Sequence, residues 1–140
     1  MALNKLVLNQ LDDAKEYILK AIKLNPHHEY IQFCAGRIMY SRGEFEDAKR
    51  YLIKAVEQNP DIETQNTLAL TYFALEDYNQ ALNIFSNLLS KHSDNISILM
   101  NIAKCYEKLN DNDKALEFLY KAVDIFPENE DAQEMIRKLS

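Results

Sequence analysis

The sequence predicts an all-α fold made of stacked pairs of antiparallel helices, an α-solenoid. Amphipathic, helix-like runs alternate with short turns along the whole chain. Helix-breaking residues are rare, with 2 Gly and 3 Pro among 140 residues. Small residues and prolines recur with a period of 34 positions, which is the length of a two-helix unit. The pairs with this spacing are Pro26 and Pro60, Ala21 and Ala55, and Ala81 and Ala115.

The first unit, residues 1–28, is predicted to be an incomplete repeat. Met1–Gln10 is helix-like but short, so we expect a truncated first helix and a turn at Asn9-Gln10. A second helix follows over Leu11–Leu24, where apolar residues recur at three- and four-residue spacing. Pro26 ends it, because the residue before a proline avoids the α region.

The second unit is the clearest in the chain. We expect one helix over His27–Ser41, a stop at Gly43, and a second helix over Glu44–Glu57. Gly36 in the first helix and Ala48 in the second let the two helices approach closely. We expect residues 29–61 to form the first complete repeat.

The third and fourth units repeat the scheme at residues 62–95 and 96–129. The predicted helices are Ile62–Leu75, Asp77–Lys91, Ile96–Leu109 and Asn112–Ile125. In the third unit Ser93 stands where the other units have a proline, and Asp94 or Asn95 is expected to cap the next helix. Glu128–Leu139 is predicted as a closing helix, acidic at its start and basic at its end, and residues 130–140 cap the array.

Charge and cysteine content restrict the function. The net charge is −6: residues 1–60 carry 9 basic and 8 acidic side chains, and residues 61–140 carry 7 and 14. The acidic half disfavours nucleic acid; it either attracts a basic partner or is simply a solvated face. No apolar stretch reaches the roughly 20 residues of a membrane span, and no signal peptide is visible. Cys34 and Cys105 lie in apolar helical contexts, which indicates free thiols and a reducing, cytoplasmic compartment.

The repeated positions resemble the tetratricopeptide repeat family. Its pattern of a small residue, a large or aromatic residue, paired alanines and a closing proline is matched in three complete units and one partial unit. In the second unit these residues are Ala35-Gly36, Met39, Phe45, Ala48, Leu52, Ala55 and Pro60. In the third they are Leu68-Ala69, Tyr72, Tyr78, Ala81, Phe85 and Leu88, and in the fourth Ile102-Ala103, Tyr106, Ala115, Leu119, Ala122 and Pro127. The resemblance implies a right-handed superhelix of the tetratricopeptide type over residues 1–140.

The resemblance also implies a binding surface, since the first helices of this family line a concave groove. Carried over by position, the groove residues are Tyr30, Phe33, Arg37, Tyr40, Glu63, Asn66, Leu70, Phe73, Ser97, Met100, Lys104 and Glu107. Periodicity places them off the core face, so we expect Phe33, Phe73 and Met100 to be exposed and to contact a peptide. The alternative is that neighbouring helices cover these side chains. The Lys/Asn/Arg set with which one subtype grips a C-terminal carboxylate is absent.

These observations predict a non-catalytic scaffold that binds a protein or peptide, with no cofactor and no metal. His27-His28 lacks a third ligand at zinc spacing, and there is no glycine-rich phosphate loop. Two alternatives remain open: self-association into a homodimer through the incomplete first unit, and a segment of a longer multidomain protein.

Overall fold

The computed structural model describes residues 5–140, and within them eight α-helices and no strand. The chain divides into two compact units, one ending at Leu75 and the other beginning at Glu76. The first unit contains α1 (Lys5–Leu24), α2 (Glu29–Ser41), α3 (Phe45–Gln58) and α4 (Ile62–Ala74). The second contains α5 (Tyr78–Lys91), α6 (Ile96–Lys108), α7 (Asn112–Ile125) and α8 (Glu130–Leu139).

The helix bounds agree with the sequence prediction to within two residues except at the N-terminus. α1 is one continuous helix of 20 residues, so the turn expected at Asn9-Gln10 does not exist. The segment has no Gly or Pro, and Val7, Leu8 and Leu11 continue its helical pattern of apolar residues. The truncated first helix, as far as it falls on residues 1–4, lies outside the described residues.

In the first unit, each helix packs against the next one along the chain, and α2 also contacts α4. Ala35, Met39, Ala48 and Leu52 are fully or almost fully buried between α2 and α3. The small side chains leave space for large ones at the closest approach of the two helices. The core of this unit therefore lies where the repeat pattern places it.

The second unit has its own core, formed by α6, α7 and α8. Leu99, Ala103, Ala115 and Leu119 are buried there, and Ala132 brings α8 into the same cluster. Tyr106 stacks on Phe118 with ring centroids 5.7 Å apart. α8 thus covers apolar surface that α6 and α7 would otherwise leave exposed.

The turns within the repeats share one backbone feature. Gly43, Glu76 and Asn110 occupy equivalent positions and all have a positive φ, of 79°, 62° and 62°. Gly43 N–H donates to the Tyr40 carbonyl and the next N–H donates to Met39, which is the Schellman arrangement for ending a helix. Asn and Gly adopt this conformation readily, whereas Glu does so at a cost.

The turns between repeats are stabilised by side-chain hydrogen bonds instead. The side-chain amide of Gln32 donates to the Pro26 carbonyl at 2.6 Å, and that of Gln65 donates to Pro60 at 2.5 Å. Gln133 makes the same contact with Pro127. At the Ser93 turn Asn95 is the cap, since its Oδ1 accepts the Ile98 N–H at 3.1 Å.

Candidate peptide-binding surfaces

The predicted groove residues of the first unit lie on α2 and α4. Tyr30, Arg37 and Glu63 are exposed, whereas Tyr40, Asn66, Leu70 and Phe73 are half-buried. Arg37 Nη1 lies 3.7 Å from Glu63 Oε1, and this ion pair links the two helices across the surface. Tyr40 packs edge-on against Phe45 of α3, with ring centroids 5.3 Å apart, so it is anchored to the core.

Phe33 was expected to be exposed, and this expectation is wrong. Its side chain is only 9% exposed. The Arg37 guanidinium lies over its ring at 5.6 Å from the centroid. Phe33 also lines a small cavity together with Ala55 of α3 and Thr64 of α4. Neighbouring first helices approach closely enough for a long side chain at this position to reach the next helix and be covered by it.

In the second unit, the predicted residues of α6 form one wall of a cleft whose other wall is α8. The cleft has a volume of about 370 Å³ and is open to solvent. Met100 and Lys104 contribute from α6. Met100 is 8% exposed and belongs to the core cluster, so its expected exposure is also wrong. Lys104 and Ser97 are exposed, and Glu107 is half-buried.

The α8 wall of this cleft was missed from the sequence. It consists of Asp131, Glu134, Met135 and Lys138. Lys138 Nζ lies 3.0 Å from Glu107 Oε1 and so joins α8 to α6. Three of these residues follow the predicted α6 positions Ser97, Met100 and Lys104 by one period of 34 residues. This register could have identified them, had α8 been treated as another first helix and not only as a polar cap.

Among the described residues, no group of three or more His, Cys, Asp and Glu could hold a metal ion. His28, considered as a ligand from the sequence, instead caps α2, with its Nδ1 accepting the Tyr30 N–H at 3.2 Å. No helix in the described part of the chain is long and apolar enough to cross a membrane.

The charged cluster that joins α1 to the α2–α3 turn lies apart from these surfaces. Lys15 Nζ donates to both Glu44 carboxylate oxygens, at 2.9 and 3.0 Å. The Arg42 guanidinium donates hydrogen bonds to the carboxylates of both Glu44 and Asp12. The bond from Lys15, followed by that from Arg42, lowers the pKa of Glu44. The Asp12 contact is the main cause that raises the pKa of Arg42.

The fold is that of an α-helical repeat protein. Two family models described as tetratricopeptide repeat match the sequence, one over residues 1–61 and one over residues 72–139. The chain therefore belongs to the tetratricopeptide repeat family. No protein of curated function matches it significantly.

Solved structures give the same fold. The structure of MamA superposes with a TM-score of 0.85 at 19% identity, covering 99% of this chain and 84% of MamA. YrrB, described as a TPR protein with an unusual peptide-binding site, has a TM-score of 0.86 at 23% identity, with 94% and 69% covered. The first TPR domain of Spaghetti, bound to an HSP90 peptide, has a TM-score of 0.72 at 15% identity, with 79% and 89% covered. At these identities the likeness establishes the α-solenoid fold.

Proposed function

We propose that this protein is a non-catalytic interaction module that binds a peptide segment of another protein on the exposed surfaces of its first helices. The observation that carries the proposal is the α6–α8 cleft, with Met100 and Met135 inside and charged side chains on both walls. Its volume of about 370 Å³ falls in the range of small ligand sites, which usually span about 300–1,000 Å³.

The composition of the cleft favours a peptide over a small metabolite. Methionine side chains adapt to different apolar partners, so they suit the side chains of a peptide. Lys104 and Lys138 alternate with Asp131 and Glu134 around them and can pair with a partner's charges or bond its backbone. Two solved structures with this fold are described with bound peptides or a peptide-binding site, which supports the same class of partner.

The proposal includes a cytoplasmic location and excludes catalysis, metal binding and nucleic-acid binding. Its test is selection of peptides from a random display library on the whole chain, followed by NMR mapping of the selected peptides. We expect chemical-shift changes at Met100–Lys104 and Asp131–Lys138. Failure to enrich any peptide, or changes confined to α5 and the outer face of α7, would contradict the proposal.

A second candidate function is self-association through α1. A cleft of about 240 Å³ lies between α1 and α2, lined by Leu11, Cys34 and Ile38. Leu8, Tyr17 and Leu24 of α1 are exposed. Light scattering over a concentration series tests it. A homodimer that dissociates when Leu11 and Ile38 are replaced by Asp would support this candidate, and a monomer at all concentrations would exclude it.

A further inference from the structure

A small cavity in the first unit lies where three helix ends meet: the start of α2, the end of α3 and the start of α4. Its volume is about 50 Å³. Since one water needs roughly 10–15 Å³ measured this way, there is room for a small group and not for a whole side chain of aromatic size. The lining residues that matter here are Glu29, Tyr30, Phe33, Ala55, Asp61 and Thr64.

Two carboxylates give the cavity its charge. Neither Glu29 nor Asp61 forms an ion pair with any residue that the structure describes. Asp61 caps α4 by accepting the Thr64 N–H at 2.7 Å, and its other oxygen lies 3.5 Å from Asn59 Nδ2. Both contacts leave lone pairs free, because a carboxylate has about four acceptor positions.

Helix dipoles change this balance little. The N-termini of α2 and α4 each contribute about half a positive charge and the C-terminus of α3 about half a negative one. Against two full negative charges, the sum remains clearly negative. An anion is therefore disfavoured in the cavity and a cation is favoured.

A buried hydroxyl gives independent evidence of a polar ligand. Thr64 is only 4% exposed, and its hydroxyl has no hydrogen-bond partner among the described residues. Among the described residues, Gln32 Oε1 is the one side-chain polar atom that has neither a hydrogen-bond partner nor access to solvent. The Thr64 hydroxyl must therefore keep some access to solvent, and the cavity that Thr64 lines provides it. It can accept a hydrogen bond from a donor in the cavity.

Aromatic rings complete the environment. Tyr30 is 65% exposed at the mouth, and Phe33 is buried at the wall. The Phe33 ring already lies under the Arg37 guanidinium, so the exposed Tyr30 ring is the one that can attract a further cation and cover the methylene groups that carry it. Two carboxylates, a hydroxyl acceptor and an aromatic ring together suit an alkyl ammonium group.

We propose that this cavity binds a primary ammonium group of a partner peptide, from either a lysine side chain or the N-terminal amine. An ammonium group has three N–H donors, and the cavity offers three acceptor groups: the carboxylates of Glu29 and Asp61 and the Thr64 hydroxyl. The planar guanidinium of arginine is larger and fits the small volume less well. The inference rests on the proposed function, since the ammonium belongs to a bound peptide, and it adds a requirement for a basic or free-amine position.

The test is an NMR titration of the whole chain with Nα-acetyl-lysine amide as the probe. We expect saturable shifts at the amides of Glu29, Tyr30 and Asp61–Thr64, with a Kd of about 1–10 mM, as suits a single anchoring group. Nα-acetyl-norleucine amide, which lacks only the ammonium, should give no such shifts. Glycine amide tests the N-terminal amine as the source. Equal shifts with norleucine, or none with lysine and glycine probes, would overturn the inference.

Substitutions locate the charge requirement. Glu29→Gln and Asp61→Asn should each weaken lysine binding roughly threefold, as expected for loss of one ion pair made by an exposed carboxylate. Asn keeps the cap of α4, so the fold is retained in D61N. The matched control is Asp13→Asn on α1, an exposed carboxylate with the same loss of charge. If all three variants bind alike, long-range charge and not this cavity accounts for the binding.

The two proposals fail in different ways. If selected peptides perturb the α6–α8 cleft and the lysine probe leaves Glu29 and Asp61 unaffected, only the inference about the cavity is overturned. If the lysine probe binds at the cavity while no peptide is ever enriched, the proposed function is contradicted; the cavity's selectivity for an ammonium group is then retained, but its assignment to a peptide partner is overturned.

Discussion

Gly36 and Leu52 pack so closely that a β-carbon at position 36 would lie 2.7 Å from Leu52 Cδ2 and closer still to Cγ. Leu52 is fully buried, so it has little room to move. Hydrogen is the only side chain that fits at this crossing of α2 and α3. The small residue that marks the repeat in sequence is thus a steric requirement of the helix pair.

Gly36→Ala should therefore destabilise the protein by about 1–3 kcal/mol through overpacking, although alanine is the better helix former. Urea unfolding followed by circular dichroism measures this. Ser41→Ala, at an exposed position of the same helix, is the control and should change little. Combining Gly36→Ala with Leu52→Ala should cost less than the sum of the single substitutions, since the smaller residue removes the clash. An unchanged or raised stability of Gly36→Ala would refute this account.

Glu76→Gly should stabilise the chain, because Glu76 has a φ of 62°. The left-handed conformation costs a residue with a β-carbon roughly 1–2 kcal/mol, which glycine avoids. Glycine's extra freedom in the unfolded chain destabilises the folded state by about 0.5–1 kcal/mol and so offsets part of this gain. We expect a net gain of up to about 1 kcal/mol by urea unfolding. Asn110→Gly at the equivalent turn should gain less, since asparagine tolerates this conformation. No gain in stability for Glu76→Gly would mean that Glu76 is not strained.

The Lys15–Glu44–Arg42 cluster should make the attachment of α1 sensitive to acid. Its ion pairs lower the pKa of Glu44 in the folded state, so the stabilisation is complete above the ordinary Glu range and is lost as pH falls through the lowered value. The effect should be below about 1 kcal/mol, because the side chains are about 30% exposed and solvent screens them. Unfolding free energies of wild type and Glu44→Gln should differ at pH 7 and converge at lower pH. A difference that persists below pH 3 would contradict the assignment.

The two cysteines should differ in reactivity. Burial raises the pKa of the Cys105 thiol to about 12, whereas Cys34 is half-buried and lines the α1–α2 cleft. Because the thiolate is the reactive form, iodoacetamide at pH 8 should modify Cys34 in the native protein and Cys105 only after unfolding. Intact mass and peptide mapping distinguish the two. Early modification of Cys105 would mean that its burial is transient.

Much of the fold could be predicted from the sequence, because the same residue pattern occurs in each repeat. Gly36, Ala48 and Ala103 define helix contacts that the structure reproduces. The exception is α1, which remains helical at Asn9, the position where the other repeats turn at Gly43 and Asn110. Local sequence does not specify a turn there, and the repeat register suggested one that the chain does not form.

The candidate site was harder to predict, because exposure depends on the neighbouring helix. Periodicity within one helix predicts that Phe33 and Met100 lie off the face shared with the paired helix, yet Phe33 lines a cavity with Ala55 of α3 and Met100 belongs to a core cluster that includes α7. It cannot show that Arg37 and Thr64 cover Phe33, or that α8 covers Met100. The hydrogen bond that the Gln32 side-chain amide donates to the Pro26 carbonyl was missed for a different reason, since glutamine has no strong preference for a turn.

The measurement that tests the central claim most directly is the affinity of a selected peptide for Lys104→Glu and Lys108→Glu, by fluorescence anisotropy. Both lysines are exposed on α6, but only Lys104 lines the cleft. Reversing the charge inside the cleft should weaken binding about tenfold, equivalent to about 1.4 kcal/mol, while Lys108→Glu stays within about twofold of wild type. Equal affinities of the two variants would contradict peptide binding in the α6–α8 cleft.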